Sequence, residues 1–314
     1  MNREHAQLQK IARLYYVEDL NQRQIADKLN ISMASVSRGL SRAKELGIVR
    51  ISIADAPDSY QDLEVSIEQR YGIKECIITP SFERLENTYH AFAAALADLL
   101  PRVVHKGALV GVSWGETLKA LGDDLEGVAS LRCDVIPIIG AMGTIETGVY
   151  PNSIARAFAT RLGGRSYLVN APAVLDNAET TRRLMDDSTF EPIRRQWQQV
   201  DLAILGASSL DEQTSVYRGG IFSADELREL RDGGAVAATN FLFLDSSGSL
   251  TGRHLASRIV CLDEPAMRRI PNVIVAAGGP GKAPAVDAVL RSGLSHILIT
   301  DADTAVELAD HAGE

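Results

Sequence analysis

Residues 108–118 read ALVGVSWGETL: an apolar run, then glycines and hydroxyls, then a helix-forming segment. An apolar stretch of this length with no polar alternation is a strand buried on both faces, which is the habit of parallel sheets covered by helices. The same grammar recurs. DVIPIIG (134–140), DLAILGAS (201–208), NVIVAAGG (272–279) and HILIT (296–300) are further apolar runs, each ending in small or polar residues. Between them lie segments with helical spacing, at 85–100, 115–125, 154–162, 178–185, 224–231, 282–290 and from Ala302 onward. Strands alternating with helices predict an α/β domain with a Rossmann-like parallel sheet. Ligands of such sheets sit outside the carboxyl ends of the strands.

Those ends are where this chain places glycine and hydroxyl residues. Gly111, Ser113, Gly115 and Thr117 form one loop leading into a helix N-terminus, where free N–H groups favour an anion. Gly279 and Lys282, in GGPGK (278–282), form a second; a lysine at a helix start is electrostatically adverse unless it meets an anion, with a merely solvated lysine as the alternative. Asn152 and Asp245 are candidate partners for ligand hydroxyls, with capping and turn roles as equal alternatives. Thr300 and Asp301 read either as a site or as a cap. Neither a G-x-G-x-x-G nor a G-x-x-x-x-G-K pattern is present, so dinucleotides and nucleoside triphosphates are not indicated. GVSWG satisfies G-x-S-x-G literally, but no downstream acid and histidine are marked out to complete a hydrolase.

The first fifty-five residues differ from the rest. They hold nine Lys/Arg against six Asp/Glu, within a chain of 314 residues whose net charge is −9. A basic head on an acidic body still grips a polyanion, because local charge sets the contact potential. Leu8, Ile11, Ala12, Leu14 and Tyr15 recur at helical spacing. Asn21 with Gln24 is a capping box for a second helix, and Ser32 caps a third that runs through Leu46 to Gly47. Residues 48–53 read as a short strand. Three helices with a tight turn between the last two predict a helix-turn-helix, winged-helix-like unit over 1–55. The candidate DNA-reading residues are Ser32, Met33, Ala34, Ser35, Ser37, Arg38, Arg42 and Lys44. A solvated polar face on a protein-interaction module is the alternative. Residues 56–314, after the linker at 55–59, form the α/β body with its candidate ligand loops.

Three cysteines lack ligand spacing and six histidines lack H-E-x-x-H spacing, so neither a disulfide framework nor a metal site is expected. No apolar leader and no run of 18 apolar residues occurs, which predicts a cytoplasmic protein without membrane contact.

ARLYYVEDLNQRQIADKLNISMASVSRGLSRAKELGIVRI (12–51) resembles the DNA-binding head of the SorC family of bacterial sugar-responsive transcription regulators. GVSWGETL (111–118), NAPAVLDNAETTRRLMDD (170–187), AAGGPGKAPAV (276–286) and LITDADTA (298–305) follow in that family's order. The resemblance implies an effector domain similar in fold to ribose-5-phosphate isomerase and glucosamine-6-phosphate deaminase, with catalysis lost. It further implies a homo-oligomer, dimer or tetramer, on double-stranded operator DNA and nucleoid-associated when bound. The ligand would be a sugar, polyol or sugar phosphate, with no cofactor. By this likeness the Ser113–Thr117 and Gly279–Lys282 loops surround the phosphate end, and Asn152 and Asp245 lie near hydroxyls. Where family members often carry Gly-Asp, this chain reads Ala237-Ala238, which removes one hydroxyl acceptor. An isomerase or deaminase with an accessory DNA-binding head is the enzymatic alternative.

Overall fold

The computed structural model describes residues 3–18, 20–46, 48–49, 60–142, 149–210 and 222–310. The chain divides into two compact units, 1–59 and 60–314.

In the first unit, α1 (Arg3–Tyr16), α2 (Gln22–Leu29) and α3 (Met33–Glu45) enclose a small core of Ile11, Leu14, Ile25, Val36 and Leu40. The expected capping box forms: Asn21 Oδ1 accepts from the Gln24 amide at 3.0 Å, while Gln24 Oε1 accepts from the Asn21 amide at 2.9 Å. Asn30 ends α2 in the left-handed region at φ 51°, the conformation that turns a chain sharply out of a helix. Ser32 Oγ then accepts from the Ser35 amide at 3.1 Å and starts α3. Helices α1 and α3 meet closely at Gly39, where a Cβ would stand 2.9 Å from Ile11 Cδ1. Residues 48 and 49 form bends rather than the start of the expected strand. Gly47, the rest of that strand (50–53) and the linker at 55–59 lie outside the described residues.

The second unit begins with α4 (Gln61–Tyr71), β1 (Glu75–Thr79), α5 (Leu85–Val103), β2 (Leu109–Val112), α6 (Glu116–Asp124) and β3 (Asp134–Pro137). It continues through α7 (Pro151–Leu162), α8 (Ala178–Asp186), α9 (Glu191–Trp197), β4 (Leu202–Leu205) and β5 (Ser208–Ser209). Next come α10 (Ala224–Asp232), β6 (Ala235–Thr239), β7 (Leu242–Asp245), β8 (Leu250–Thr251), α11 (Arg253–Ala256) and α12 (Glu264–Met267). The last elements are β9 (Asn272–Ala276), α13 (Ala283–Arg291), β10 (Ile297–Asp301) and α14 (Ala302–Asp310).

Six strands form a parallel sheet in the order β1-β10-β9-β4-β2-β3. Strict alternation along each strand splits the core in two. Leu298, Val273, Val275, Ala203 and Leu205 face the layer that holds α4, α9, α13 and α14. Ile297, Ile299, Ile274, Leu202, Ile204, Val110 and Val112 face α5, α6 and α7. Helices on both faces explain why the strands read as continuous apolar runs.

A second sheet, β5-β6-β7-β8, is antiparallel. It packs around Phe222, Leu227, Leu230, Phe241 and Phe243. It is inserted between β4 and β9, and it supplies one wall of the site below.

Candidate effector pocket and DNA-reading helix

From β2 the chain moves outward to β3, whereas from β4 it moves the other way, to β9. Strands β2 and β4 are neighbours, so their carboxyl ends diverge and leave a crevice, the topological switch point of an α/β sheet. Ser113 closes β2 and donates its amide to Ile204 O of β4 at 3.1 Å. Its side chain is 2% exposed, and its Oγ donates to Asn240 Oδ1 at 2.9 Å. Asn240 Nδ2 donates in turn to Ile138 O beyond β3 at 3.4 Å. Thr239 Oγ1 donates to Gly206 O at the end of β4, 2.9 Å away. The parallel sheet and the β6–β7 hairpin are thus tied together by neutral hydrogen bonds at one point. Around it lies a tight cavity of about 20 Å³, which any ligand larger than a water must open, lined by Ser113, Trp114, Gly115, Gly206, Ser208, Ala238, Asn240 and Phe241.

Two features give that pocket its character. Gly115, the N-cap of α6, sits at φ 115° with no side chain capping the helix, and a Cβ there would meet nothing within 4 Å. The first amides of α6 therefore lack a side-chain cap at an open position, an arrangement suited to an oxyanion or a hydroxyl oxygen. Opposite, Trp114 stacks on Phe241 with ring centroids 5.1 Å apart and 14° between planes. Asn240 and Phe241 are the two central residues of the hairpin turn, both left-handed at φ 46° and 58°. Turns of this kind favour Asn then Gly; a phenylalanine there carries strain of about 1–3 kcal/mol. Its contacts with Trp114, Phe222 and Phe243 hold it in place.

In the first unit, α3 buries Val36, Leu40 and Ala43, while Ser32, Met33, Ala34, Ser37, Arg38, Arg42 and Lys44 are exposed. Met33 is 52% exposed, unusual for so apolar a side chain at a helix start. Ser35 is half-buried, its Oγ 2.8 Å from that of Ser32. Arg38 Nε makes a long contact of 3.3 Å to Ala34 O within the same helix. The surface offered is thus small hydroxyls and alanine at the helix N-terminus, with arginine and lysine further along. That is the arrangement in which a recognition helix reads base edges and holds phosphates.

Residues 56–309 match a family model described as "Putative sugar-binding domain". The whole chain is similar to the deoxyribonucleoside regulator of Bacillus subtilis strain 168, at 28% identity over 99% of both chains. It is similar at 28% identity to the sorbitol operon regulator of Klebsiella pneumoniae, over 94% of this chain and 95% of that one. The crystal structure of the full-length K. pneumoniae regulator SorC superposes with a TM-score of 0.74 at 27% identity, covering 98% of this chain and 100% of that chain. The chain belongs to the SorC family. Its kinship along the whole length is with transcription regulators, which supports a regulatory and not an enzymatic role. Among the described residues no group of three or more His, Cys, Asp or Glu is placed to hold a metal. No helix among them is long and apolar enough to cross a membrane.

Of the eight candidate effector residues, this SorC-family chain brings Ser113 and Gly115 into the pocket. Gly111 lies inside β2, where a Cβ would stand 2.6 Å from Ile138 Cγ2 and 3.0 Å from Val200 Cγ1; its smallness serves packing. A Gly111→Ala variant is expected to lose about 1–3 kcal/mol through overpacking, read as a lower midpoint in urea unfolding; an unchanged midpoint would contradict this. The Thr117 hydroxyl pairs with the phenol of Tyr89, whose pKa burial pushes up. Asn152 spends both ends of its amide on Val169, accepting from its N–H at 3.0 Å and donating to its carbonyl at 3.2 Å. Asp245 Oδ1 accepts from the Ser247 hydroxyl at 2.6 Å and from the amides of Ser247 and Ser249, and these bonds hold its pKa below the usual range. Of the two roles open to Asp245, the turn role is the one its hydrogen bonds serve.

The second loop is also internally engaged. The Gly279 amide donates to Asp301 Oδ2 at 2.6 Å and to Thr304 Oγ1 at 3.2 Å. Lys282, half-buried, is the N-cap residue of α13. Asp301 is 2% exposed and also accepts from the Ser81 and Thr304 hydroxyls and the Thr304 amide, so it is a clamp with its acceptors in use. Gly206, Ser208, Asn240 and the aromatic pair went unread in the sequence. Gly206-Ala207-Ser208 repeats the strand-then-Gly-then-Ser grammar of Gly111–Ser113 and was the available signal. For Asn240 and Phe241 there was none, because their turn lacks glycine.

Proposed function

We propose that this chain is an effector-controlled transcription regulator in which α3 reads operator DNA and the Ser113–Asn240 pocket takes a sugar, a polyol or a sugar phosphate. One observation carries the reading: a pocket with an uncapped helix N-terminus and neutral hydrogen-bonding groups, at the switch point of the sheet, in a chain that also bears a helix-turn-helix. Ala238 supplies a methyl group to its wall, and every side chain that lines it is neutral. Ligand hydroxyls therefore meet Ser113, Ser208, Asn240 and backbone, and an aliphatic C–H face meets Trp114. A ligand that engages Ser113 or Asn240 competes with their mutual hydrogen bond and acts on the strained Asn240–Phe241 turn. Such a ligand shifts the regulator only as far as its affinity differs between the two arrangements. The protein works in the cytoplasm as a homo-oligomer, dimer or tetramer, on paired half-sites spaced by a helical turn of DNA.

The test is thermal unfolding of the full chain against sugars, polyols and their phosphates. A ligand at a hundredfold its dissociation constant adds about 2.7 kcal/mol, a rise of roughly 5–10 °C for a domain of this size. In Asn240→Ala that rise is expected to fall to a small fraction, while the unliganded protein still unfolds cooperatively. A full rise in the variant would move the ligand elsewhere, and no rise with any compound would end the carbohydrate reading.

A further inference from the structure

On one side of the sheet, α4 and α14 present a face that is exposed among the described residues. Glu64 Oε1 accepts from the Ile78 amide and Glu68 Oε1 from the Cys76 amide, both at 2.9 Å, so α4 runs antiparallel to β1. Helix α14 leaves the carboxyl end of β10 directly and also runs back along the sheet. The two helices are therefore parallel, and Arg70 ties them by donating to Leu308 O at 2.5 Å. Val65 and Val306 each stand fifth in their helix, at one level, and are 47% and 49% exposed. Around them are Asp62, Asp303, Glu307 and Asp310, exposed and without an ion pair among the described residues. Two half-exposed valines ringed by four carboxylates without ion partners among the described residues make an acidic face with an apolar centre.

On the opposite side of the sheet, α6 and α7 approach closely at Gly122, where a Cβ would lie 3.0 Å from Phe158 and 3.2 Å from Ala157. The groove above this contact is lined by Gly122, Ala157, Ser153 and Thr160 and edged by Lys119, Arg156 and Arg161. Lys119 pairs with Asp123, and Arg161 donates to the Asp123 carbonyl. Arg156 is exposed and has no ion pair among the described residues. This groove is basic on a chain whose net charge is −9.

We infer that the α6–α7 groove of one copy receives the α4–α14 face of a second copy of this chain. The two valines enter the groove over its small residues, and the carboxylates meet Arg156, Arg161 and Lys119. Complementary charge selects this pairing over groove on groove, which would set arginines against arginines. The two surfaces lie on opposite sides of one sheet, so a molecule cannot satisfy its own; the contact is head-to-tail between copies. Nothing in this depends on the effector pocket.

Sedimentation velocity of the full chain at low salt tests it, with Arg156→Glu, Glu307→Arg and the double variant. Neither side chain has an ion pair among the described residues to lose, so circular dichroism and melting should match the wild type. Each single reversal is expected to weaken self-association at least tenfold. The double variant restores it, and so does mixing the two single variants, since each then offers the charge the other lacks. Wild-type protein that is monomeric throughout, single variants that associate normally, or a double variant that fails to recover would each overturn the interface.

Discussion

Arg38→Ala is expected to lower operator affinity by roughly tenfold to a hundredfold at fixed salt, the 1–3 kcal/mol that one arginine contact to DNA is worth. The side chain is exposed on α3, and its one intrahelical contact is long, so removing it costs little in the free protein. The loss is therefore felt in the complex alone. Fluorescence anisotropy with a duplex selected from a random pool measures it, and the pattern across sequences assigns the contact. If Arg38 meets a guanine edge, discrimination relaxes at a single position of the site. If it holds a phosphate, all sequences weaken alike and the slope of log affinity on log salt falls by about one. Any ligand that raises the melting temperature of the wild type should raise that of the variant equally, because Arg38 lies in the other compact unit. Unchanged DNA affinity would remove α3 from the interface.

What the residues alone disclose divides along a physical line. The buried parallel strands were legible because both faces are covered, which writes an apolar run over each. The helix-turn-helix was legible because capping is local: Asn21 with Gln24 and Ser32 with Ser35 are pairs three residues apart. The antiparallel sheet was not. Strands β5 and β8 are two residues each, and AVAAT in β6 carries little β-branched or aromatic signal. Without that sheet Asn240 has no place beside Ser113, 127 positions away in the chain. Asn152 and Asp245 fared differently. Their candidate roles and their local roles use the same atoms, and the local partners, Val169 and the Ser247–Ser249 turn, take them.

Asp301 shows the same limit, and it yields a large expected effect. Three residues before Thr304, it reads as an N-cap, and it does accept from the Thr304 amide at 3.1 Å. Its other partners arise because β10 lies beside both β1 and β9. Through Ser81 it holds the loop after β1, and through Gly279 the loop after β9. Gly278 is fitted around it, since a Cβ there would sit 1.9 Å from Asp301 Oδ2. Hydrogen bonds to an ionised group contribute about 1.5–3 kcal/mol each, and a buried donor left without its acceptor costs about 1–3 kcal/mol. In Asp301→Ala the hydroxyls of Ser81 and Thr304 can turn elsewhere and the Gly279 amide keeps its longer bond to Thr304 Oγ1 at 3.2 Å, but the Thr304 amide loses its acceptor and Gly279 its shorter bond. A loss of about 3–5 kcal/mol follows, a fall of roughly 10 °C in melting temperature. Asp301→Asn keeps the shape but turns an NH2 toward groups that themselves donate, so it should fall between Ala and wild type. Calorimetry of the three proteins decides it. If Asn melts with the wild type, the carboxylate charge is not what holds these loops, and the clamp must be assigned to packing around Gly278 instead.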